Sequence, residues 1–304
     1  MKRRDFLMTG AMIGVAAGAS TLPTAALAAD TKTAVPGDRR AEAKFRMCSQ
    51  LRGYIPGKSA EEKMKWMKEN GFEAVEVGRL GDDYMTWKKR ADDAGLAISA
   101  VCIGSFGAKP ISANEEERKA GIDEMKVQLE RAGAIGAIGI VYVPVTGAPK
   151  EPFQNIRERT VAMLKELGPF AAQHKTNIIL EPLRRNEAWF LRQVSDAAQI
   201  AKDAAVEGVA VLGDTYHMYT EEPDDMAAFI AGGNFVKHVH LGNGTKRQLP
   251  GQDDHCHIKA MRGLKYIGYT NFLSYECGCA GGDAAGAVEV PKSVEYLRKC
   301  WEEA

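Results

Sequence analysis

The chain has 304 residues, 45% hydrophobic and 8% aromatic, with 31 Gly and 12 Pro, which sets aside disordered, collagenous and multi-pass membrane classes and fits one sizeable domain or two small ones. Its 40 Lys and Arg residues balance 40 Asp and Glu residues, so no basic field recruits nucleic acid or an anionic membrane. Six cysteines, Cys48, Cys102, Cys256, Cys277, Cys279 and Cys300, are scattered through a chain long enough to bury its own core, and no disulfide framework is indicated.

Taken from the amino terminus, Lys2-Arg3-Arg4-Asp5-Phe6-Leu7 opens a weakly apolar, Gly- and Ala-rich run to Ala19. Ala26-Leu27-Ala28 then supplies the small residues that a signal peptidase accepts. The segment resembles a twin-arginine (Tat) signal peptide, so residues 1–28 are expected to be cleaved on periplasmic export by the Tat machinery. Gly10, Gly14 and Gly18 argue against a retained membrane anchor. Cleavage leaves 37 basic against 39 acidic residues, a net charge near −2. Tat cargo crosses the membrane folded, which suits a metalloenzyme loaded before export. Residues 29–43, polar and containing Pro36-Gly37, are expected to be a linker, and 44–304 the folded domain.

From residue 44, short β-branched runs alternate with amphipathic stretches, the α/β signature. Strands are expected at Lys44–Ser49, Ala74–Gly78, Ala97–Ile103, Ile138–Val145, Asn177–Leu183, Val209–Tyr216, Phe235–Leu241 and Phe272–Glu276. Helical segments between them include Ala60–Asn70, Glu115–Ala132, Glu158–His174, Ser195–Ala205 and Asp224–Ala231, with a final helix near Ser293–Glu303; Gly71, Gly95 and Gly136 act as helix stops. This alternation predicts a single (β/α)8 TIM barrel. A doubly wound open sheet would want a glycine-rich phosphate turn after the first strand, and Ser49-Gln50-Leu51-Arg52-Gly53 is not one.

In such a barrel, chemistry gathers where strands end, so polar residues closing apolar runs are the candidates. Ile178-Ile179-Leu180 closes on Glu181, Val209-Ala210-Val211-Leu212-Gly213 on Asp214, Phe235-Val236-Lys237-His238-Val239 on His240, and Phe272-Leu273-Ser274-Tyr275 on Glu276. Any one of these alone is more often a helix cap or an ion-pair partner. Three carboxylates and an imidazole at four successive strand ends instead suit a divalent cation, Mn²⁺ first, with Mg²⁺, Co²⁺ or Zn²⁺ as alternatives, because unpaired they would repel one another. His238 and His240 share one strand face; His240, nearer the mouth, is the expected ligand, and His238 is either a hydrogen-bonded core histidine or a substrate contact.

Leu180-Glu181-Pro182-Leu183 with Glu187, Asp214-Thr215-Tyr216-His217-Met218, Val239-His240-Leu241, Pro250-Gly251 and Ser274-Tyr275-Glu276 resemble the sugar epimerase/isomerase branch of the xylose isomerase-like TIM barrels, with the ketose 3-epimerases as the nearest pattern. The resemblance implies metal ligands Glu181, Asp214, His240 and Glu276, with Glu187 and His217 holding substrate hydroxyls. It also makes Glu181 and Glu276 the acid/base pair that inverts one carbon through a metal-stabilised enediolate. A basic substrate contact falls to either Lys246 or Arg247, because Leu241-Gly242-Asn243-Gly244-Thr245-Lys246-Arg247 departs from the family's spacing. Arg184-Arg185 stands where Asn and Arg are expected, and Cys102-Ile103-Gly104 where many relatives place a histidine.

Glu76 matches a family glutamate and is either a mouth contact or half of a buried ion pair. Trp189 and Phe190 are either sugar-stacking or core aromatics. His255-Cys256-His257 is extra, read as solvated loop with a lesser claim as a contact, and Cys277 and Cys279 as buried or mildly reactive thiols. A related DNA-repair endonuclease uses early-strand histidines, whereas the first histidine here is His174. A metal-dependent carbohydrate epimerase/isomerase is therefore the first expectation. A 3-keto-glycoside 1,2-lyase on the same metal site, favoured by export, is the alternative, and a non-catalytic sugar-binding barrel the third. The partners expected are a small carbohydrate, the Tat machinery and an exported sugar oxidoreductase, with homo-oligomeric assembly and no nucleic acid.

Overall fold

The computed structural model describes residues 39–147 and 150–304; the expected signal peptide and the first part of the linker, to residue 38, lie outside them. Eight strands, β1 (Met47–Gln50), β2 (Ala74–Gly78), β3 (Ala97–Gly104), β4 (Ile140–Tyr142), β5 (Ile178–Leu180), β6 (Val209–Asp214), β7 (Val236–Leu241) and β8 (Leu273–Tyr275), pair in sequence order into a closed barrel. Every pair is parallel, including the closing pair of β1 with β8. Around it run α1 (Ala60–Glu69), α2 (Tyr84–Ala94), α3 (Glu115–Ala134), α4 (Phe153–Gln173), α5 (Val194–Ala204), α6 (Thr215–Glu221), α7 (Asp225–Gly232), α8 (Ile258–Tyr266) and α9 (Gly286–Glu303). The (β/α)8 expectation holds, and the chain is an α/β TIM barrel.

Local chemistry sets several of the boundaries. Ser59 caps α1 by accepting from the Glu62 N–H at 3.2 Å, and Asn114 caps α3 by accepting from the Glu117 N–H at 2.9 Å. β6 ends two residues before the expected Tyr216, because the Asp214 carboxylate accepts from the Tyr216 N–H at 2.8 Å and starts α6, a helix absent from the sequence reading. α4 and α9 begin earlier than expected, at Phe153 and Gly286; in α9, Pro291 sits ahead of the expected start at Ser293 and masks the first turns. The end of the expected linker packs on the barrel, with the Arg39 N–H donating to the Tyr266 carbonyl at 2.8 Å and a 3₁₀ turn over Arg40–Glu42.

Strand alternation sorts side chains into two cores. Val75, Val101, Leu180, Val211 and Val239 face the helices, while Ala100, Val141, Ile179, Ala210 and Leu212 fill the barrel interior, where Phe272 packs with Cys48 and Ala74. A polar belt follows, with Cys48 Sγ 3.0 Å from Ser99 Oγ and His238 fully buried. Two residues beyond the last interior apolar side chain of β5 and of β6, the same face reaches the mouth: Ile179 leads to Glu181 and Leu212 to Asp214.

Gly208 joins α5 to β6 with φ +74°, and a Cβ there would lie 2.0 Å from the Gly168 carbonyl oxygen. Gly136 has φ +77° and nothing within 4 Å of a built Cβ. Gly136→Ala should therefore lose only the left-handed penalty of about 1–2 kcal/mol, whereas Gly208→Ala should lose at least about 1 kcal/mol more because backbone must move. Urea midpoints of the two variants check the difference; equal midpoints would exclude the close packing of α4 on this turn.

Candidate active site

Glu181, Asp214, His240 and Glu276 follow or end β5, β6, β7 and β8, and each offers one ligand atom within 4.8 Å of all the others. Sheet register carries the set: Asp214 pairs with His240, His240 with Ser274, and the Glu276 N–H donates to the Leu241 carbonyl at 3.2 Å. Glu181, Asp214 and His240 are buried and Glu276 is partly so.

His240 stands at the centre with its ring nitrogens in different surroundings. Nδ1 faces Glu276 Oε2 at 2.9 Å and Glu181 Oε1 at 3.2 Å, while Nε2 faces Glu76 Oε1 at 3.0 Å. Glu76, fully buried on β2, also accepts from Gln50 Nε2 at 2.9 Å and contacts His238 Nε2 at 2.8 Å. A proton on His240 Nε2 donated to Glu76 leaves the Nδ1 lone pair directed at the carboxylates, the arrangement by which a carboxylate orients a metal-ligating imidazole. Three hard oxygen donors and this nitrogen fit a divalent cation, and Glu181, Asp214, His240 and Glu276 are the residues able to hold it.

Cations of the chain itself also lie against these carboxylates. The Arg247 guanidinium donates through Nη2 to Asp214 Oδ2 at 2.8 Å and Glu276 Oε2 at 2.5 Å, and through Nε to the Glu276 carbonyl at 3.0 Å. Burial works against charge on Glu276, but His240 and Arg247 hold its carboxyl down to about 2. Burial pushes Asp214 up to about 6, with repulsion from Glu276 adding and the Arg247 cation opposing. Glu181 is raised by burial and by its acidic neighbours. Burial disfavours the His240 imidazolium, yet Glu76 and Glu276 raise it well above the ordinary histidine range.

His217, on α6, is buried, and burial lowers its pKa to about 4, so the ring is neutral near pH 7. Its Nδ1 accepts from the Arg184 N–H at 3.3 Å, which leaves the proton on Nε2, 3.5 Å from Asp214 Oδ2 and without a hydrogen-bond partner among the described residues. Glu187, half-buried, accepts from Arg184 Nε at 2.7 Å, and the Arg184 guanidinium lies over the Tyr216 ring.

Of the two basic candidates, Arg247 reaches the carboxylates, and Lys246 is exposed, with only its backbone N–H tied, to Asn243 Oδ1 at 3.2 Å. His238 lies fully buried against Glu76, with Nε2 2.8 Å from Glu76 Oε2, the placement of a hydrogen-bonded core histidine. His255 and His257 are buried, not solvated: His257 Nε2 lies 3.3 Å from the Gly242 carbonyl oxygen and holds the loop after β7, and His255 Nε2 lies 3.6 Å from Asp225. Cys277 is buried beside the Tyr54 hydroxyl, and burial pushes its thiol up to about 12; Cys279 is raised by burial as well, so neither is an activated nucleophile. Trp189 is half-buried, edge-on to Phe190 at 6.0 Å, and lines a cavity among the segments that follow β3, β4 and β5. The sequence reading passed over Arg52, whose Nη2 lies 3.6 Å from Glu276 Oε1. It stands two residues after β1, past Gln50 and Leu51, where the rule of polar residues closing apolar runs does not reach.

The family pattern of the xylose isomerase-like TIM barrel matches residues 64–300, and the chain belongs to that family. The 3-dehydro-D-guloside 4-epimerase of Escherichia coli is 28% identical over 254 residues, covering 79% of this chain and 94% of the relative. The D-psicose 3-epimerase of Agrobacterium fabrum is 25% identical over 229 residues, covering 71% and 78%. Among solved structures, the 3-keto-D-glucoside 4-epimerase of E. coli superposes with a TM-score of 0.75 at 24% identity, over 84% of this chain and 100% of that one. A D-psicose 3-epimerase determined in the presence of D-fructose gives 0.71 at 21% identity, over 85% and 97%. Both likenesses establish the shared fold.

Glu76→Gln keeps the shape of the buried side chain but removes the charge that orients His240. It should weaken Mn²⁺ binding by roughly 10–100-fold, read by isothermal titration of the metal-stripped protein. Unchanged affinity would separate Glu76 from the ligand set.

Proposed function

We propose that the chain is a divalent-metal-dependent epimerase of keto-sugars, working by proton removal next to a carbonyl and proton return on the opposite face. The observation that carries this reading is the convergence of Glu181, Asp214, His240 and Glu276 within 4.8 Å at the mouth of the barrel, flanked by Arg247 and by the free Nε2–H of His217. Relatives that match most of the chain carry epimerase names, which supports the same chemistry here and disfavours elimination of a glycosidic substituent. Mn²⁺ is the ion we assign, with Mg²⁺, Co²⁺ and Zn²⁺ as alternatives; when bound it would polarise the substrate carbonyl and stabilise the enolate oxygen.

The side chains divide the remaining work. One of Glu181 and Glu276 takes the proton from the carbon beside the carbonyl, and the other delivers a proton to the opposite face. Since the reaction is reversible, the two exchange roles with direction. A neutral His217 donates its Nε2–H to a substrate oxygen without adding a cation, and Glu187 accepts from a hydroxyl. Arg247, drawn from the carboxylates toward substrate oxygens, supplies fixed positive charge where negative charge develops. Export by the Tat pathway, a periplasmic site of action and supply of the keto-sugar by an exported oxidoreductase complete the proposal; they rest on the sequence of residues 1–28 and on the need for something to oxidise the sugar first.

Glu181→Gln and Glu276→Gln should each lower kcat by about 10³-fold or more and leave the circular dichroism spectrum unchanged. Near-normal turnover in either would exclude the two-carboxylate mechanism. Chelation should abolish activity and added Mn²⁺ restore it; full turnover in protein verified metal-free by elemental analysis would refute metal dependence. The deciding experiment is proton NMR in D₂O with a free ketohexose and an aryl 3-keto-glucoside side by side. Deuterium entering beside the carbonyl together with the epimer supports the proposal, and release of the aryl alcohol identifies a lyase.

A further inference from the structure

Glu187 and His217 stand on different segments. Glu187 lies between β5 and α5, on a stretch that contains neither helix nor strand, whereas His217 lies on α6. A side chain on irregular backbone keeps a fixed place only where that backbone is tied down. Arg184 makes the first ties. Its carbonyl accepts from the Glu187 and Ala188 N–H groups at 2.8 and 3.0 Å, closing the turn that carries Glu187. Its Nε donates to Glu187 Oε1 at 2.7 Å, and its backbone N–H donates to His217 Nδ1 at 3.3 Å. One residue thus fixes the carboxylate through its guanidinium and the imidazole through its backbone.

What holds Arg184 is its neighbour's partner. Glu221, the last residue of α6, is buried, and its Oε1 accepts from the Arg185 N–H at 2.6 Å and from Arg185 Nε at 2.8 Å, while Oε2 accepts from Arg185 Nη2 at 3.1 Å. Arg192 Nε stands 3.9 Å from the same Oε2. The far end of the stretch is stitched to α6 as well: Gln193 Nε2 donates to the Glu221 carbonyl at 2.8 Å, and the Val194 N–H to Glu222 Oε1 at 2.8 Å. Among the described residues, no hydrogen bond or ion pair joins Glu221 to Glu181, Asp214, His240 or Glu276.

His217 and Glu221 are four residues apart and share a face of α6. The helix therefore presents both to the Arg184-Arg185 backbone at once, with Arg184 N–H on the imidazole and Arg185 N–H on the carboxylate. Which nitrogen of a neutral imidazole carries the proton is set by the bond the other nitrogen makes. A backbone N–H held against Nδ1 admits only the Nε2–H form, the one whose proton stands 3.5 Å from Asp214 Oδ2 with no hydrogen-bond partner among the described residues.

We infer that Glu221 is a positioning residue: by fixing the backbone at Arg184-Arg185 it sets the Nε2–H tautomer of His217 and the place of Glu187, without touching the metal-binding set. The inference rests on the epimerase reading for what those two groups do to substrate, and it names what holds them. The tautomer of His217 is read from its ring-nitrogen NMR shifts in the Mg²⁺-loaded protein, with His217→Asn identifying the signals. The wild type should carry the proton on Nε2. Glu221→Met, of similar length but without an acceptor, should mix the two tautomers, lower kcat by roughly 10–100-fold as for a misplaced reacting group, and leave Mn²⁺ affinity unchanged. Glu221→Gln keeps Oε1 as acceptor for the Arg185 N–H and Nε and gives up only the Nη2 bond, so it should retain the wild-type tautomer and most of the turnover. If Glu221→Met does not fold, Glu221→Asp, whose carboxylate stops one methylene short of the Arg185 N–H, takes its place with the same expectation. A proton on Nδ1 in the wild type, an unchanged tautomer or full turnover in Glu221→Met or Glu221→Asp, weakened Mn²⁺ binding in either, or a loss in Glu221→Gln as large as theirs would each overturn the inference. Should no keto-sugar exchange deuterium with the wild type, the epimerase reading fails, and the tautomers, which are measured without substrate, still decide whether Glu221 positions His217.

Discussion

Three carboxylates brought within 4.8 Å of one another in a buried barrel mouth are the constraint around which this molecule is organised. In a medium poorer than water at screening charge, such a set cannot be fully ionised without positive charge beside it. The chain places compensating groups there, Arg247 between Asp214 and Glu276, His240 between Glu181 and Glu276, and Arg52 beside Glu276. The carboxyls respond unequally: Glu276 is held low by its cations, and Asp214 is pushed up by burial. A site whose carboxylates meet a guanidinium and an imidazole is one in which positive charge, from the chain or from a divalent ion, has to stand beside them.

The barrel meets the constraint by making the mouth rigid from below. His240 is fixed by Glu76, Glu76 by His238 and Gln50, and His238 lies among fully buried side chains. β5 and β6 place their ligands by alternation, two residues past an interior apolar side chain, so the packing that fixes Ile179 and Leu212 fixes Glu181 and Asp214 as well. Misplacing a ligand would require a register shift that turns the strand inside out. Stability and site geometry are thus specified by the same contacts.

The legible part of the sequence was the part governed by local rules. An apolar run closing on a carboxylate or histidine marks a strand end in any α/β chain, and this identified Glu181, Asp214, His240 and Glu276 before any contact was known. Local rules fail where a residue has two roles or where burial is decided by distant segments. Asp214 caps α6 as well as facing the cluster, so the strand appeared to run on to Tyr216. The depth of His257 depends on the Gly242 carbonyl and on Tyr296 from α9, neither of which its own neighbours announce. Lys246 and Arg247 were indistinguishable because adjacent residues in an irregular loop are sorted by backbone conformation and not by type.

That conformation explains how one loop residue becomes part of the site. Arg247 has φ +51°, a left-handed backbone that costs a non-glycine residue about 1–2 kcal/mol. It is held there by the Gly278 N–H, which donates to the Arg247 carbonyl at 2.7 Å, and by pairing of Gln248 with Gly278, so the segments after β7 and β8 clasp one another. The turn directs the guanidinium across the Tyr216 ring, 4.8 Å from its centroid, onto Asp214 and Glu276. A lysine in the same backbone would have a single ammonium for two carboxylates and no planar face for the tyrosine. The strain is local, the clasp that sustains it is a pair of backbone contacts, and together they bring positive charge from one strand's loop to carboxylates on two others, which no straight continuation of β7 would reach.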